Sequence, residues 1–143
     1  MRKLFEAVGR ETLKYNWLIT DCECNPSDEI LRKRLCAEYT LLSGEELTEI
    51  LEREDFQWIW GVLSAIHKDA TLDEILRYPL PSAERNSLFG VFPSIAHPLA
   101  AAELVAFDST YLYISTKDRS LFDLFRTTYP KCEIMLPPDY NED

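Results

Sequence analysis

The sequence predicts a single α+β domain, residues 1–143, in which a mostly antiparallel sheet carries helices on one or both faces. Its 143 residues are 46% hydrophobic, enough for one core without disulfides or metals. Helix-like segments lie before, between and after strand-like ones. Asp108-Ser109-Thr110 separates two apolar runs, residues 101–107 and 111–115, as a hairpin turn does. The order of the strands is not predicted.

The first quarter of the chain predicts a helix, a strand and a second helix. Residues 2–14 are predicted as one helix because Leu4, Phe5, Val8 and Thr12 recur at roughly helical spacing. Residues 15–20 are aromatic and β-branched, which predicts a strand. Asn25-Pro26 supplies an N-cap and a first-turn proline for the next helix. Its predicted apolar positions are Ile30, Leu31 and Leu35.

An acidic helix follows a short predicted strand at residues 39–42. Ser43 and Glu46 have the spacing of a capping box, in which each side chain satisfies the other residue's backbone N–H group. The core-facing stripe of this helix is Leu47, Ile50 and Leu51. This helix, which follows Ser43, is the third that the sequence predicts, and we label it α3. Four of its side chains are thereby turned to solvent, and we refer to them as the α3 glutamates: Glu45, Glu46, Glu49 and Glu52.

Residues 56–66 contain no charge, which predicts a central strand covered on both faces. Trp58 and Trp60, two positions apart, are predicted to share one face of this strand.

In the second half of the chain, Thr71 and Glu74 repeat the capping-box spacing before a short helix that Pro79 ends. The region from Pro79 to Pro98 is expected to be an ordered connection. Asp118 caps a last helix, residues 133–136 are a candidate terminal strand, and residues 137–143 are expected to fray.

The charge of the chain disfavours two classes of partner. Its net charge is −10, and residues 41–80 carry nine acids against three bases. Nucleic-acid affinity depends on Lys and Arg side chains that displace counterions, so a nucleic-acid partner is not expected. An anionic membrane surface is disfavoured for the same reason. A basic protein is the partner that this charge favours.

The cysteines are expected to be reduced thiols. The N-terminal segment acquires Glu6 before any apolar stretch develops, so no secretory signal is predicted and the expected location is the cytoplasm. Cys22 and Cys24 form a lone Cys-x-Cys, while Cys36 and Cys132 lie far from them in sequence. This spacing does not match a four-ligand zinc site, so the sequence predicts no metal or cofactor.

Four residues are candidates for binding a small ligand. Asp21 and Glu23 directly follow a predicted strand, His97 precedes a proline, and Asp108 lies in the hairpin turn. Together they could surround one end of the sheet, as an enzyme or a small-ligand protein would require. The ordinary alternative is a set of turn and strand-end residues. Motifs for nucleophilic, phosphate-binding or zinc-protease chemistry are absent, so no catalytic residue is predicted.

Four stretches carry a resemblance to a known family: residues 17–21 (WLITD), 42–47 (LSGEEL), 56–64 (FQWIWGVLS) and 97–100 (HPLA), the last continued to Asp108-Ser109. Together they resemble a family of small acidic bacterial proteins of unknown function. The resemblance implies no known activity and supplies no catalytic residues. In character the chain is also similar to immunity proteins that neutralise toxins.

The sequence therefore leaves three functional hypotheses open. The first is a non-enzymatic protein-binding module that presents the α3 glutamates to a basic protein, with toxin neutralisation as its most concrete form. The ordinary reading of the same residues is a solvated helix face. The second is the enzyme or small-ligand protein described above. The third is a structural protein that self-associates through the edge of the hairpin.

Overall fold

A five-stranded antiparallel sheet in the order β2-β1-β3-β4-β5 organises the computed structural model, which describes residues 1–84 and 94–135. The strands are β1 Tyr15–Cys24, β2 Tyr39–Ser43, β3 Trp58–His67, β4 Ala100–Phe107 and β5 Tyr111–Thr116. The helices are α1 Arg2–Val8, α2 Glu29–Leu35, α3 Gly44–Arg53, α4 Leu72–Ile75 and α5 Arg119–Thr128, with a 3₁₀ helix at Gly9–Lys14. The predicted α+β class is confirmed.

The middle strand of the sheet is β3, which pairs with β1 on one side and β4 on the other. Val62, Leu63, Ala65 and Ile66 have no exposed surface. An uncharged run can occupy such a position because both of its faces are removed from water. The predicted central strand is therefore confirmed.

The two faces of the sheet bury separate cores. The helical face, covered by α1, α2, α3 and α5, holds the larger one. Its members include Leu4, Trp17, Leu35, Leu47, Leu104 and Phe125. The opposite face holds two smaller clusters around α4 and the segments that flank it. Their buried members are Leu18, Ile66, Ile75 and Ala100 in one, and Val62, Ala83 and Val105 in the other.

The predicted single helix over residues 2–14 is wrong, because the α-helix ends at Gly9. Gly9 has a φ of 56°, a conformation that glycine adopts without steric cost. The chain then continues as the 3₁₀ helix, where the Thr12 hydroxyl donates to the carbonyl of Gly9 at 2.8 Å. The N-terminus of α3 packs closely on this turn, since a Cβ on Gly44 would lie 2.3 Å from the Thr12 carbonyl oxygen.

The second helix begins three residues later than predicted. Its N-cap is Asp28, whose carboxylate accepts hydrogen bonds from the backbone N–H groups of Ile30 and Leu31. Asn25 does not cap it. The backbone N–H of Asn25 instead donates to the carbonyl of Gln57 at 3.0 Å, which continues the strand pairing. Leu35 is buried, whereas Ile30 is 80% exposed.

The other predicted caps are confirmed. Ser43 with Glu46 and Thr71 with Glu74 both form complete capping boxes. Asp118 caps α5 by accepting from two backbone N–H groups. The hairpin joins β4 to β5 as predicted.

The predicted terminal strand is wrong for residues 133–135, which are exposed and unpaired in the described structure. Residues 85–93 of the predicted connection, residue 136 and the tail lie outside the described residues.

Two irregularities alter the alternation of side chains where β1 and β3 pair. On β1, Thr20 pairs with Val62 but Glu23 pairs with Trp60, so β1 contains one extra residue. On β3, Trp60 and Trp58 pair with Glu23 and Cys24, so β3 contains the extra residue there. Trp58 consequently joins the core of the helical face while Trp60 packs on the opposite face. The prediction that the two tryptophans share a face is wrong.

Candidate functional site

Three cysteine side chains meet where the end of β1 passes beneath α2. Cys22 and Cys24 belong to β1, and Cys36 is the C-cap residue of α2. Their sulfur atoms all lie within 4.8 Å of one another, and the Cys24 and Cys36 sulfurs are 3.7 Å apart. Cys24 is buried, Cys22 and Cys36 are half-buried, and all three are free thiols. We call these three residues the thiol cluster.

The bulge in β1 aims two of these thiols at the helical face. In a regular strand, residues at even distances share a face, so Cys22 and Cys24 would point away from Trp17 and Ile19. The extra residue at Asp21 reverses this alternation. Asp21 has a φ of 49°, a left-handed conformation that Asp tolerates better than most residues. All four side chains therefore pack in or against one core.

The third thiol is brought in by the short helix that follows. Asp28 fixes the start of α2, and the buried Leu35 anchors its last turn in the helical-face core. The Thr40 hydroxyl then donates to the carbonyl of Arg34, which ties the end of α2 to β2. Cys36 is thus held above Cys24 by contacts that do not involve sulfur.

Hydrogen bonds within the cluster and burial shift the pKa values of its thiols in opposite directions. The pKa of the Cys24 thiol is lowered, first because the Cys22 thiol hydrogen-bonds to it, and further by the Cys36 thiol and the positive charge of Arg32. The pKa of Cys22 is strongly raised, mainly because its proton is held in that hydrogen bond, and then by burial. Burial is the main cause that raises the pKa of Cys36.

The spacing of the sulfur atoms suits a thiophilic metal ion. Zinc–sulfur bonds are about 2.3 Å long, which places two sulfurs of a tetrahedral site about 3.8 Å apart. The Cys24 and Cys36 sulfurs are already 3.7 Å apart. Soft thiolate ligands select ions such as Zn²⁺ and Cu⁺. The cluster is therefore chemically able to bind such an ion after a small inward movement of Cys22.

Sequence spacing did not identify this cluster. Cys36 lies twelve positions after Cys24, and nothing in that interval fixes where α2 packs. The order of a Cys-x-Cys strand and a short helix that ends near a cysteine permits such a contact but does not determine it. Cys132 is exposed and lies outside the cluster.

The α3 glutamates are exposed, as predicted. Three of them already form ion pairs within the chain: Glu45 with Lys68, Glu46 with Arg34, and Glu49 with Arg53. Glu52 forms no ion pair among residues 1–84 and 94–135. Most of the charge of this face is therefore balanced locally.

The four candidate ligand-binding residues divide between two ends of the sheet. Asp21 and Glu23 line an open groove of about 260 Å³ together with Cys22, Trp60 and Glu84. Asp108 lies in the hairpin at the same end, where the neighbouring Ser109 N–H donates to the carbonyl of Ile59 at 3.0 Å. His97 precedes β4, whereas Asp108 follows it, so His97 lies at the other end.

His97 is a buried structural residue. The N–H of Leu99 donates to its Nδ1 at 3.2 Å, so its Nε2 carries the proton and donates to the carbonyl of Ile75 at 3.1 Å. Its backbone N–H and that of Ala96 donate to the carboxylate of Glu103 at 2.8 and 2.7 Å. Both ring nitrogens are occupied, so the ring is not available to a ligand.

Comparison of the chain with protein-family models, with curated proteins and with solved structures gave no match. Within the two described ranges, no helix combines the length and apolar character needed to cross a membrane. Within the described structure, the thiol cluster is the group of side chains whose atoms are placed to bind a metal ion.

Proposed function

We propose that the chain binds one thiophilic metal ion of the zinc type through the thiolates of Cys22, Cys24 and Cys36. The observation that carries this proposal is the convergence of three sulfur atoms within 4.8 Å from two different elements. Two free thiols often meet in a core, but a third one pointing at the same position is what a coordination site needs.

The protonation of the cluster makes metal binding depend on pH. The lowered pKa of Cys24 favours the deprotonated sulfur that a metal ion binds. Cys22 and Cys36, whose pKa values are raised, lose their protons when the ion binds. Metal binding therefore releases protons, and the affinity rises with pH until these thiols ionise without the metal.

The test is a titration of the reduced full-length chain with Zn²⁺ in competition with a chromophoric chelator. We expect one ion per chain. Replacement of Cys24 or Cys36 by Ser removes a ligand. Loss of a residue that only orients a ligand lowers metal affinity by up to about 100-fold, so loss of the ligand itself is expected to lower the Zn²⁺ affinity by more than about 100-fold.

Cys132 provides the matched control, because it is a free cysteine outside the cluster. Cys132→Ser is expected to bind Zn²⁺ as the unaltered chain does. Circular dichroism spectra of all the variants establish that each one is folded. If folded wild-type protein takes up no ion, or if C24S and C132S bind equally well, the proposal is wrong.

The acidic surface of α3 supports a second candidate, binding to a basic protein, with toxin neutralisation as its concrete form. All four α3 glutamates are exposed, and surface ion pairs such as theirs contribute little stability, so a basic partner can replace Lys68, Arg34 or Arg53. Among the described residues Glu52 has no ion-pair partner that would have to be exchanged.

This candidate is tested with the basic product of a neighbouring gene. We expect its affinity to fall with added salt and with Glu49→Lys plus Glu52→Lys. Glu38→Lys plus Glu133→Lys reverses two exposed acids elsewhere and should have little effect. Affinity that is insensitive to both salt and the α3 reversals would rule this candidate out.

A further inference from the structure

Among residues 1–84 and 94–135, the thiol cluster brings three ligand atoms together. All four cysteines and both histidines of the chain lie within the described residues. Cys132 is outside the cluster, His67 is an exposed strand-end residue whose ring contacts Tyr15, and both ring nitrogens of His97 are occupied. A structural zinc site is closed by four protein ligands, whereas three leave one position open.

The segment around the cluster is held without a metal ion. Asn25 pairs with Gln57, Asp28 caps α2, and Leu35 is fully buried. Thr40 ties the end of α2 to the sheet through the carbonyl of Arg34. Zinc ions that are needed for folding occur in domains that cannot otherwise form a core. The local fold therefore has anchors that do not depend on an ion in this cluster.

The partial exposure of the cluster makes it accessible to an additional ligand. Cys24 is buried, but Cys22 and Cys36 are half-exposed, so the cluster is open on part of its surface. A divalent ion with three thiolates has a net charge of −1. The exposed guanidinium of Arg32 is paired with Glu29 and also acts electrostatically on Cys24 and Cys36.

We infer that the open position accepts a thiolate from a second molecule, so that the chain transfers its metal ion by ligand exchange. This inference rests on the proposed function. In the step, the incoming thiol releases its proton to solvent, its sulfur forms a bond to the ion, and the water that occupied the fourth position leaves. Nothing is oxidised or reduced. Transfer continues as further external thiolates replace the protein sulfurs one at a time, each protein sulfur regaining a proton.

The test uses the full-length chain loaded with ¹¹³Cd²⁺, a soft analogue of zinc, with glutathione as the external monothiol. ¹¹³Cd NMR reports the number of sulfurs on the ion, and native mass spectrometry reports the composition of the complex. We expect a saturable shift of the resonance and a complex of one chain, one cadmium ion and one glutathione. S-methylglutathione, which has no thiol, should produce neither. Cys132→Ser should behave as wild type, which excludes a role for the exposed cysteine.

Three outcomes separate the two proposals. If no cadmium binds before glutathione is added, the proposed function itself is wrong. If cadmium binds but its resonance does not move at saturating glutathione, the site is closed and the transfer inference is overturned. Removal of cadmium without any ternary complex overturns it as well, because the ion then leaves by dissociation and not by exchange.

Discussion

The buried carboxylate of Glu103 accepts the backbone N–H of His97 at 2.8 Å. The hydroxyl of Ser64 donates to the same oxygen, Oε1, and the other oxygen, Oε2, accepts the N–H of Ala96. This one side chain therefore holds the segment before β4 against the centre of the sheet. Because every donor here is buried or partly buried, the carboxylate is needed as an acceptor on both oxygens.

Glu103→Gln is expected to destabilise the fold by about 1–3 kcal/mol, since the amide nitrogen places a donor against a backbone donor. Urea unfolding gives the free-energy difference. Glu133→Gln, at an exposed position, is the control and should change stability by less than about 0.5 kcal/mol. Equal stabilities of the two variants would show that Glu103 does not anchor the segment.

The bulge at Asp21 provides a second prediction. Asp21→Val places a β-branched residue at a φ of 49°, so we expect a loss of about 1–3 kcal/mol and weaker Zn²⁺ binding. Asp21→Asn tolerates the same backbone conformation and should lose less of both. Asp21 also accepts hydrogen bonds from Ser82 and Ala83, and Asn keeps one acceptor oxygen for them. If the Val and Asn variants bind Zn²⁺ equally, the bulge does not position the thiols.

Gly44 and Gly9 predict different responses to alanine. A Cβ at Gly44 would lie 2.3 Å from the backbone oxygen of Thr12, which cannot move without displacing the 3₁₀ helix. Gly44→Ala is therefore expected to cost at least about 1–3 kcal/mol. A Cβ at Gly9 would meet no atom within 4 Å. Gly9→Ala is therefore expected to lower the free energy of unfolding only through its positive φ, by about 1 kcal/mol. Thermal unfolding of the two variants ranks them, and the reverse order would contradict the close approach of α3.

The thiol cluster predicts how stability depends on pH in the metal-free, reduced protein. Because the pKa of Cys24 is lowered, the unfolded state binds more protons between that pKa and about 9, and Cys24 makes stability rise with pH there. Because the pKa values of Cys22 and Cys36 are raised, the folded state binds more protons above about 9, and these thiols make stability fall.

Urea unfolding from pH 7 to 10 in the presence of a reductant measures this dependence, as a difference between the wild type and a variant with Ser at positions 22, 24 and 36. The difference should rise towards pH 9 and fall beyond it. A difference that does not vary with pH would mean that the three thiols titrate alike in both states.

Local features of the fold were predictable, because their causes lie within a few residues. The capping boxes at Ser43 and Thr71 and the turn at Asp108 depend on short-range hydrogen bonds and backbone preferences. The division of Trp58 from Trp60 was not predictable, because it depends on which residue of β1 pairs with which residue of β3. The approach of Cys36 to Cys24 depends on where α2 packs, which no local signal determines.

The bulge at Asp21 also determines on which face of the sheet the carboxylate of Glu23 lies, as well as the thiols of Cys22 and Cys24. If β1 kept all of its residues but paired regularly from Tyr15 onward, without the bulge, Glu23 would exchange faces with its neighbours Cys22 and Cys24. A carboxylate would then enter the core of the helical face, and the two sulfurs would face away from α2. A regularly paired β1 of the same length would therefore lose both the thiol cluster and the uncharged core, and the bulge is what allows this sequence to have the two together.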